Sequence, residues 1–206
     1  MNNIENIIFD FGGVLYDISF ERASKAFENL GFMLPKFQNE FLSVFKQLEN
    51  GNLNPDEFPI QLQKLSEKHI SEKDILHAFD QILIGINPEK VEDLRKLKRK
   101  YHLYLLSNTN EIHFRKYSEE IKRNIRTSDF YTLFEKEYYS HRLKMRKPDL
   151  SIFNFVIKDS KLDPNGTLFV DDSKENLTSA ATLGIQTFLI DTADSWKILM
   201  RMLKVR

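Results

Sequence analysis

The 206-residue sequence contains no cysteine, which excludes disulfides, thiolate zinc sites and cysteine nucleophiles. It also carries no net charge, because 30 lysines and arginines balance 30 aspartates and glutamates. Without an excess of basic residues, general binding to nucleic acid has little electrostatic support. We therefore expect no nucleic-acid partner.

Long apolar runs are also missing from the sequence. No stretch approaches the roughly 18 apolar residues of a membrane span, and residues 1–5 lack the basic region that begins a signal peptide. We expect a cytoplasmic protein with no membrane partner, acting as a monomer or a weak homodimer. The chain is long enough for one substantial core with a small appended domain.

Short apolar segments predict the strands of a parallel sheet. They are residues 7–9, 103–106, 167–170 and 186–190. Polar residues follow these segments only at their C-terminal ends, as in sheets that are buried on both faces. Amphipathic helical patterns precede or separate the segments, at residues 91–97, 152–156 and 177–183. This alternation predicts an α/β fold with a Rossmann-like parallel sheet and helices on both faces.

The pattern changes between residues 19 and 85, where we find no convincing strand. Amphipathic helical patterns follow one another there, at residues 20–30, 37–48, 55–69 and 71–82. We predict a helical cap domain of residues 17–85 over the carboxyl edge of the sheet. The core domain then consists of residues 1–16 and 86–206. The alternative is that these helices simply cover one face of the sheet.

The predicted strand ends, with one lysine from the loop before the third strand, bring a set of polar residues to one sheet edge: Asp10, Ser107, Asn108, Lys147, Asp171 and Asp172. Acidic side chains gathered in this way repel one another unless a hard divalent cation such as Mg²⁺ bridges them. Asp10 with Asp172, with or without Asp171, could hold such an ion, and a backbone carbonyl from the turn at Gly12 could complete part of its coordination shell.

The same set of residues contains the parts of a phosphoryl-transfer site. An aspartate beside Mg²⁺ and a bound phosphate can attack phosphorus and form an aspartyl-phosphate, which is the role we predict for Asp10. Lys147 supplies a positive charge for the phosphoryl oxygens, and Ser107 and Asn108 supply hydrogen-bond donors. We therefore predict a small-molecule phosphate ester as the substrate.

Four motifs in order make the sequence similar to the haloacid dehalogenase superfamily, in the subgroup with a helical cap between the first two motifs. The motifs are residues 9–15, 105–110, 145–149 and 169–173, with Asn176 four residues beyond Asp172. The residues of the two middle motifs and of the segment Glu49-Asn50-Gly51 are most similar to those of bacterial alpha-glucose-1-phosphate phosphatases. The resemblance implies a magnesium-dependent phosphatase of small sugar phosphates such as a hexose 1-phosphate.

The resemblance also implies a role for each motif residue. The implied magnesium ligands are Asp10, Gly12 through its carbonyl, and Asp172, with Asp171 as a further ligand or as an acid that supports the ligands. The implied phosphate-binding residues are Ser107, Asn108 and Lys147. Asp10 is the implied nucleophile, and Lys147 and Ser107 assist catalysis by balancing charge and binding the phosphoryl group.

One position departs from the superfamily. Most of its phosphatases carry a second aspartate two residues after the nucleophile, where this chain has Gly12. Glycine cannot protonate the leaving alcohol, and general acid catalysis is worth roughly 10²–10⁴-fold. The gap favours leaving groups that need less protonation, such as the hemiacetal oxygen of an anomeric phosphate. Asp17 is a candidate replacement, although Asp17 or Ser19 could simply begin the first cap helix.

Two other functions compete with the phosphatase. A haloacid dehalogenase also uses an aspartate nucleophile and needs no general acid. That reaction has no need of magnesium, so the pair Asp171-Asp172 argues against it. A binding module that lost turnover through Gly12 is the other alternative, and the retained Asp10, Lys147 and Asp172 argue against it.

Overall fold

The computed structural model describes residues 3–32, 34–124 and 126–204, with the side chains of residues 34–38 left aside. Its main sheet has five parallel strands in the order β5-β4-β1-β6-β7. These strands are β1 (Asn6–Phe9), β4 (His102–Ser107), β5 (Lys136–Tyr139), β6 (Thr167–Asp171) and β7 (Gln186–Leu189). The predicted α/β fold is confirmed, with one strand more than the sequence pattern indicated.

The strand order places β1 in the middle of the sheet. Phe9, the last residue of β1, is in register with Leu105 of β4 on one side and with Val170 of β6 on the other. The carboxyl ends of three strands therefore lie side by side. Asp10 follows β1 between Ser107, which ends β4, and Asp171, which ends β6.

Helices cover both faces of the sheet. Alternate strand residues such as Ile7 and Phe9 face α5 (Pro88–Lys98), α6 (Glu111–Arg123) and α10 (Ser195–Met202) in one apolar cluster. Ile8 and Phe169 face α8 (Leu150–Ser160) and α9 (Lys174–Ala181) in another. Burial of each large apolar side chain contributes about 1.5–3 kcal/mol, which fixes the sheet between its two layers. The short helix α7 (Ser140–Leu143) directly follows β5.

A group of helices, here called the helical insertion, lies between two short strands. It contains α1 (Phe20–Asn29), α2 (Leu34–Glu49), α3 (Phe58–Gln63) and α4 (Glu72–Asp80). Ser19 and Ser71 cap α1 and α4 by accepting a hydrogen bond from a backbone N–H of the first turn. The insertion has an apolar cluster of its own around Phe27, Phe58 and Phe79. It occupies the span of the predicted cap domain, whose boundaries remain a prediction.

The third predicted helix of the insertion is shorter than its pattern suggested. A 3-10 turn (Pro55–Glu57) precedes α3, and α3 ends at Gln63 instead of continuing to residue 69. The Gln63 side chain accepts a hydrogen bond from the N–H of Ile70 and donates one to the carbonyl of Lys68. These contacts fold the chain after α3 back as a loop.

The prediction that residues 19–85 contain no strand is wrong at the C-terminal end of that range. β2 (Tyr16–Ile18) and β3 (Leu83–Ile86) form an antiparallel pair where the chain enters and leaves the helical insertion. The edge strand β5 was also missed. None of the helices within the described ranges has both the length and the apolar content that crossing a bilayer requires.

Candidate active site

Asp10 lies buried at the carboxyl edge of the sheet, and its backbone N–H donates to the carbonyl of Val170 at 2.9 Å. The amino group of Lys147 lies 2.6 Å from Asp10 Oδ1 and 2.7 Å from Asp171 Oδ2. Only 1% of Lys147 is exposed. A lysine so fully desolvated needs opposite charges, and the two carboxylates supply them, which raises the pKa of Lys147 despite its burial.

Asn108 holds the backbone on which Lys147 sits. Its amide Nδ2 donates to the carbonyl of Lys147 at 2.9 Å, and its Oδ1 accepts from the N–H of Lys147 at 2.9 Å. The Asn108 side chain therefore fixes the lysine in place. That Asn108 also binds phosphate stays a prediction, for which its backbone N–H is available alongside this contact.

Both oxygens of Asp171 are engaged within the protein. Oδ1 accepts from the N–H of Ser173 at 2.8 Å, and Asn176 Nδ2 lies 3.0 Å and 3.1 Å from the two carboxylate oxygens. Oδ2 also accepts from Lys147. Asn176 stands in the fourth motif, and this contact gives it a function that the sequence alone did not specify: it holds Asp171 in the orientation that meets Lys147.

The acidic cluster of Asp10, Asp171 and Asp172 fits a divalent cation. One carboxylate oxygen from each of the three lies within 4.8 Å of the others. Burial raises the pKa of the Asp10 carboxyl to about 7, and the neighbouring acids add to this effect while Lys147 opposes it. The pKa of Asp172 is also raised by burial and by Asp171. One lysine does not neutralise three carboxylates, so an oxygen-seeking cation suits the cluster. Asp10 and Asp172 are better placed to hold it than Asp171, whose oxygens are engaged.

Gly13 is required by the position of Asp172. Its backbone has φ +80°, which favours glycine, and a Cβ built on it would lie 2.1 Å from Asp172 Oδ2. Any side chain at this position would push Asp172 away from the acidic cluster. The sequence indicated a tight turn at this point but not the close approach of Asp172.

The structure offers no proton donor at Gly12. A Cβ there would lie 3.3 Å from the Cδ1 atom of Ile18, so this side of the loop is covered by an apolar side chain. Asp17 points elsewhere, since its half-exposed carboxylate lies 3.6 Å from the amino group of Lys90. Asp17 does not join the acidic cluster. The role of the Gly12 carbonyl as a metal ligand and that of Ser107, buried at the end of β4, remain predictions.

The family model for haloacid dehalogenase-like hydrolases matches residues 4–184, which is most of the chain and includes every motif described above. The chain belongs to the haloacid dehalogenase-like hydrolases. The prediction of this family, and with it of an enzyme of the hydrolase class, is confirmed. The order of the motif residues along the chain and their convergence at one sheet edge agree with that membership.

Similar proteins of this hydrolase family include enzymes of known activity or structure. The chain is 35% identical to a D-ribitol-5-phosphate phosphatase of Bacteroides thetaiotaomicron, over 94% of this chain and 95% of that protein. It is also similar to an enzyme of the family from the same organism solved with magnesium and inorganic phosphate, with 36% identity, a TM-score of 0.86, and coverage of 97% and 100%.

A family member from Porphyromonas gingivalis has 30% identity and a TM-score of 0.85, over 98% of this chain and 99% of that one. The magnesium predicted from the acidic cluster agrees with the magnesium bound in the Bacteroides structure. The more specific similarity to glucose-1-phosphate phosphatases has no counterpart among these relatives.

Proposed function

We propose that this hydrolase is a magnesium-dependent phosphatase of small sugar or sugar-alcohol phosphates that uses Asp10 as a covalent nucleophile. The observation that carries the proposal is the convergence of Asp10, Asp172 and Lys147 at the ends of adjacent strands. It provides a nucleophile, an anionic cation site and a positive charge within one small volume. The relatives that hydrolyse a pentitol phosphate or bind magnesium with phosphate support it.

The proposed reaction has two steps. An oxygen of Asp10 attacks phosphorus, the bond from phosphorus to the ester oxygen breaks, and the leaving oxygen takes a proton from solvent. Water then attacks the aspartyl-phosphate and releases inorganic phosphate and the free carboxylate. Lys147 orients the Asp10 carboxylate through Oδ1 and balances charge near the phosphoryl group. Mg²⁺, when bound by Asp10 and Asp172, would supply further positive charge for the phosphoryl oxygens.

Ser107 and the backbone N–H of Asn108 would complete the phosphate site from the end of β4. The helical insertion would close over this site as a cap and exclude water during the transfer. Its α2 ends at Glu49, which contacts the core beside Lys147 through Arg146.

Two substrate classes fit different observations. The absence of an acid at Gly12 favours a hexose 1-phosphate, because its anomeric leaving oxygen needs little protonation. The 35% identical relative instead favours a sugar-alcohol 5-phosphate, whose leaving group is an ordinary alcohol. We propose the 1-phosphate as the better substrate on chemical grounds, with the sugar-alcohol phosphate as the second candidate.

The test is a hydrolysis assay with and without magnesium. We expect p-nitrophenyl phosphate to be hydrolysed with magnesium, and EDTA and Asp10→Asn each to abolish the activity. Chloroacetate turnover without metal would instead show a dehalogenase, and failure with every phosphate ester would leave a binding module. On active enzyme, glucose 1-phosphate, glucose 6-phosphate and ribitol 5-phosphate separate the substrate classes. Equal rates for the two glucose phosphates would contradict the leaving-group argument.

A further inference from the structure

Glu49, the last residue of α2, makes two separate attachments to the core. Its carboxylate accepts a hydrogen bond from Arg146 Nη2 at 3.1 Å, and its backbone carbonyl accepts one from Ser140 Oγ at 2.7 Å. Only 7% of Glu49 is exposed. These partners lie 97 and 91 residues away along the chain, so the contacts exist only when the insertion is docked on the core.

Ser140 connects this docking to the loop after β4. Its hydroxyl is fully buried and accepts a hydrogen bond from the N–H of Thr109 at 3.0 Å. The carbonyls of Glu49 and Thr109 lie 2.7 Å and 3.0 Å from the same oxygen. A hydroxyl has one proton and can donate fully to only one carbonyl at a time. With Glu49 docked, the shorter distance directs that proton to the insertion.

We call Ser107, Asn108 and Lys147 the phosphate clamp. The two partners of Glu49 lie beside the two chain segments that carry these residues. Ser140 holds Thr109, which lies next to Asn108, and Arg146 lies next to Lys147. Gly51 brings the same segment against α7, because a Cβ on Gly51 would lie 2.0 Å from the carbonyl oxygen of His141. One short segment of the insertion therefore touches both parts of the chain that position the clamp.

We propose that Glu49 is a positioning residue that couples docking of the helical insertion to the geometry of the phosphate clamp. This inference rests on the proposed phosphatase function. Docking fixes Ser140 and Arg146, these fix Thr109 and the backbone before Lys147, and the clamp then has its binding geometry. Without this coupling the reacting groups are intact, but the enzyme binds the phosphoryl group more weakly.

A second pair of cap and core residues provides a matched control. Lys116 of α6 forms an ion pair with Asp80 of α4, and this contact also joins the insertion to the core. Lys116 does not contact the clamp, and half of its side chain is exposed. Lys116→Met therefore weakens the attachment of the insertion without acting on Thr109 or Arg146.

The experiment compares Glu49→Gln, Ser140→Ala, their double variant and Lys116→Met. The readouts are kcat and KM for p-nitrophenyl phosphate, acetyl phosphate and whichever of glucose 1-phosphate or ribitol 5-phosphate the wild type hydrolyses, the inhibition constant of inorganic phosphate, and Tm. Glu49→Gln keeps the size of the side chain and removes its charge. We expect it to raise the phosphate inhibition constant, and KM for every substrate, by about tenfold or more. Ser140→Ala should do the same, and the double variant should lose less than the product of the two effects.

Lys116→Met should leave KM and the inhibition constant close to those of the wild type. Three results would overturn the inference. The first is unchanged phosphate inhibition in Glu49→Gln and Ser140→Ala. The second is an equal change in Lys116→Met, which would indicate general loosening of the insertion.

The third is a loss confined to sugar-alcohol or sugar phosphates, which would indicate direct contact with substrate hydroxyls. That alternative has a structural basis, because Asn50 Oδ1 and Arg146 Nε are buried without a hydrogen-bond partner among the described residues. If Glu49→Gln does not fold, Ser140→Ala carries the test alone. Wild-type enzyme inactive on every phosphate ester would contradict the proposed function instead, so the two failures are distinguishable.

Discussion

Single residues at the strand ends determine the geometry of the acidic cluster. Gly13 leaves room for Asp172, Asn108 holds the backbone of Lys147, and Asn176 holds Asp171. Burial acts in opposite directions on the pKa of an acid and of an amine. It raises the pKa of Asp10, whereas its lowering effect on the pKa of Lys147 is outweighed by the two neighbouring carboxylates. Side chains that contact no substrate thus prepare the groups that would.

Gly13→Ala tests the close approach of Asp172 to the loop after β1. We expect the Cβ to displace Asp172 and to raise the magnesium concentration needed for half-maximal activity by about tenfold or more, as the loss of one charged ligand would. The control is Gly31→Ala, because Gly31 has a similar positive φ of +92° and nothing within 4 Å of its Cβ position. A magnesium requirement changed equally in both variants would show that backbone strain alone is responsible.

Asp171→Asn and Asp172→Asn separate the two possible roles of Asp171. Because the Asp171 oxygens are engaged by Lys147, Ser173 and Asn176, we expect Asp171→Asn to lower kcat by about tenfold or more while the apparent magnesium affinity stays within about threefold. Asp172→Asn should mainly weaken the binding of magnesium. Magnesium titrations of phosphatase activity measure both. An equal loss of magnesium affinity in the two variants would indicate that Asp171 is a ligand.

At the scale of helices and strands, elements with a regular apolar pattern were predictable, and strands without one were not. β1, β4, β6 and β7 each contain an apolar run with polar residues at or just after its end, so both their existence and the common edge of their ends followed from the sequence. β5 begins with Lys136 and Glu137, a composition typical of an exposed sheet edge and unlike a buried strand. β2 and β3 pair with each other across the whole length of the helical insertion, which no local pattern reveals.

Contacts between distant elements were also beyond sequence reasoning. The strand-end residues could be assigned to one site because parallel strands share an edge. The attachment of Glu49 to Ser140 and Arg146 depends on how α2 docks against α7, and no spacing in the chain encodes that docking. The same holds for His113, which follows the second motif but is buried against the ring of Phe79 of α4, with ring centroids 3.9 Å apart.

The interface of α4 and α6 should make stability depend on pH through His113. Burial lowers the pKa of His113 from 6.5 to about 3, with Lys116 also disfavouring protonation and Asp80 facing the ring at 4.0 Å. In the unfolded chain His113 therefore binds a proton near pH 6.5, whereas in the folded chain it binds one only near pH 3. Stability is fully present above pH 6.5 and is lost as pH falls between these values.

At pH 5 the expected contribution of His113 to this loss is about 2 kcal/mol, at roughly 1.4 kcal/mol per pKa unit. Urea unfolding at pH 7 and pH 5 measures it, and His113→Gln should reduce the difference between the two values. The matched control is His77→Gln, since His77 lies on the exposed side of α4. An unchanged pH dependence in His113→Gln would show that other groups cause the loss.

For the whole molecule, we expect Mg²⁺ and inorganic phosphate to stabilise the fold together. Mg²⁺ and inorganic phosphate would bind between the sheet edge and the insertion, and only the folded chain provides that site. At ligand concentrations of about 100 times Kd, each contributes about 2.7 kcal/mol, which should raise Tm by roughly 5–10 °C for a chain of this size. Thermal unfolding with each ligand alone and with both measures this, and Asp172→Asn should lose the part due to magnesium. An identical rise in Asp172→Asn would place the metal elsewhere.

Transfer of the phosphoryl group to Asp10 is tested by trapping the covalent intermediate. Enzyme mixed with magnesium and p-nitrophenyl phosphate is quenched in acid within one turnover, reduced with borohydride and mapped by peptide mass spectrometry. An aspartyl-phosphate is converted to homoserine by this treatment, so we predict homoserine at position 10 in the wild type and none in Asp10→Asn. Homoserine at another aspartate, or phosphate release with no modified residue, would contradict phosphoryl transfer to Asp10.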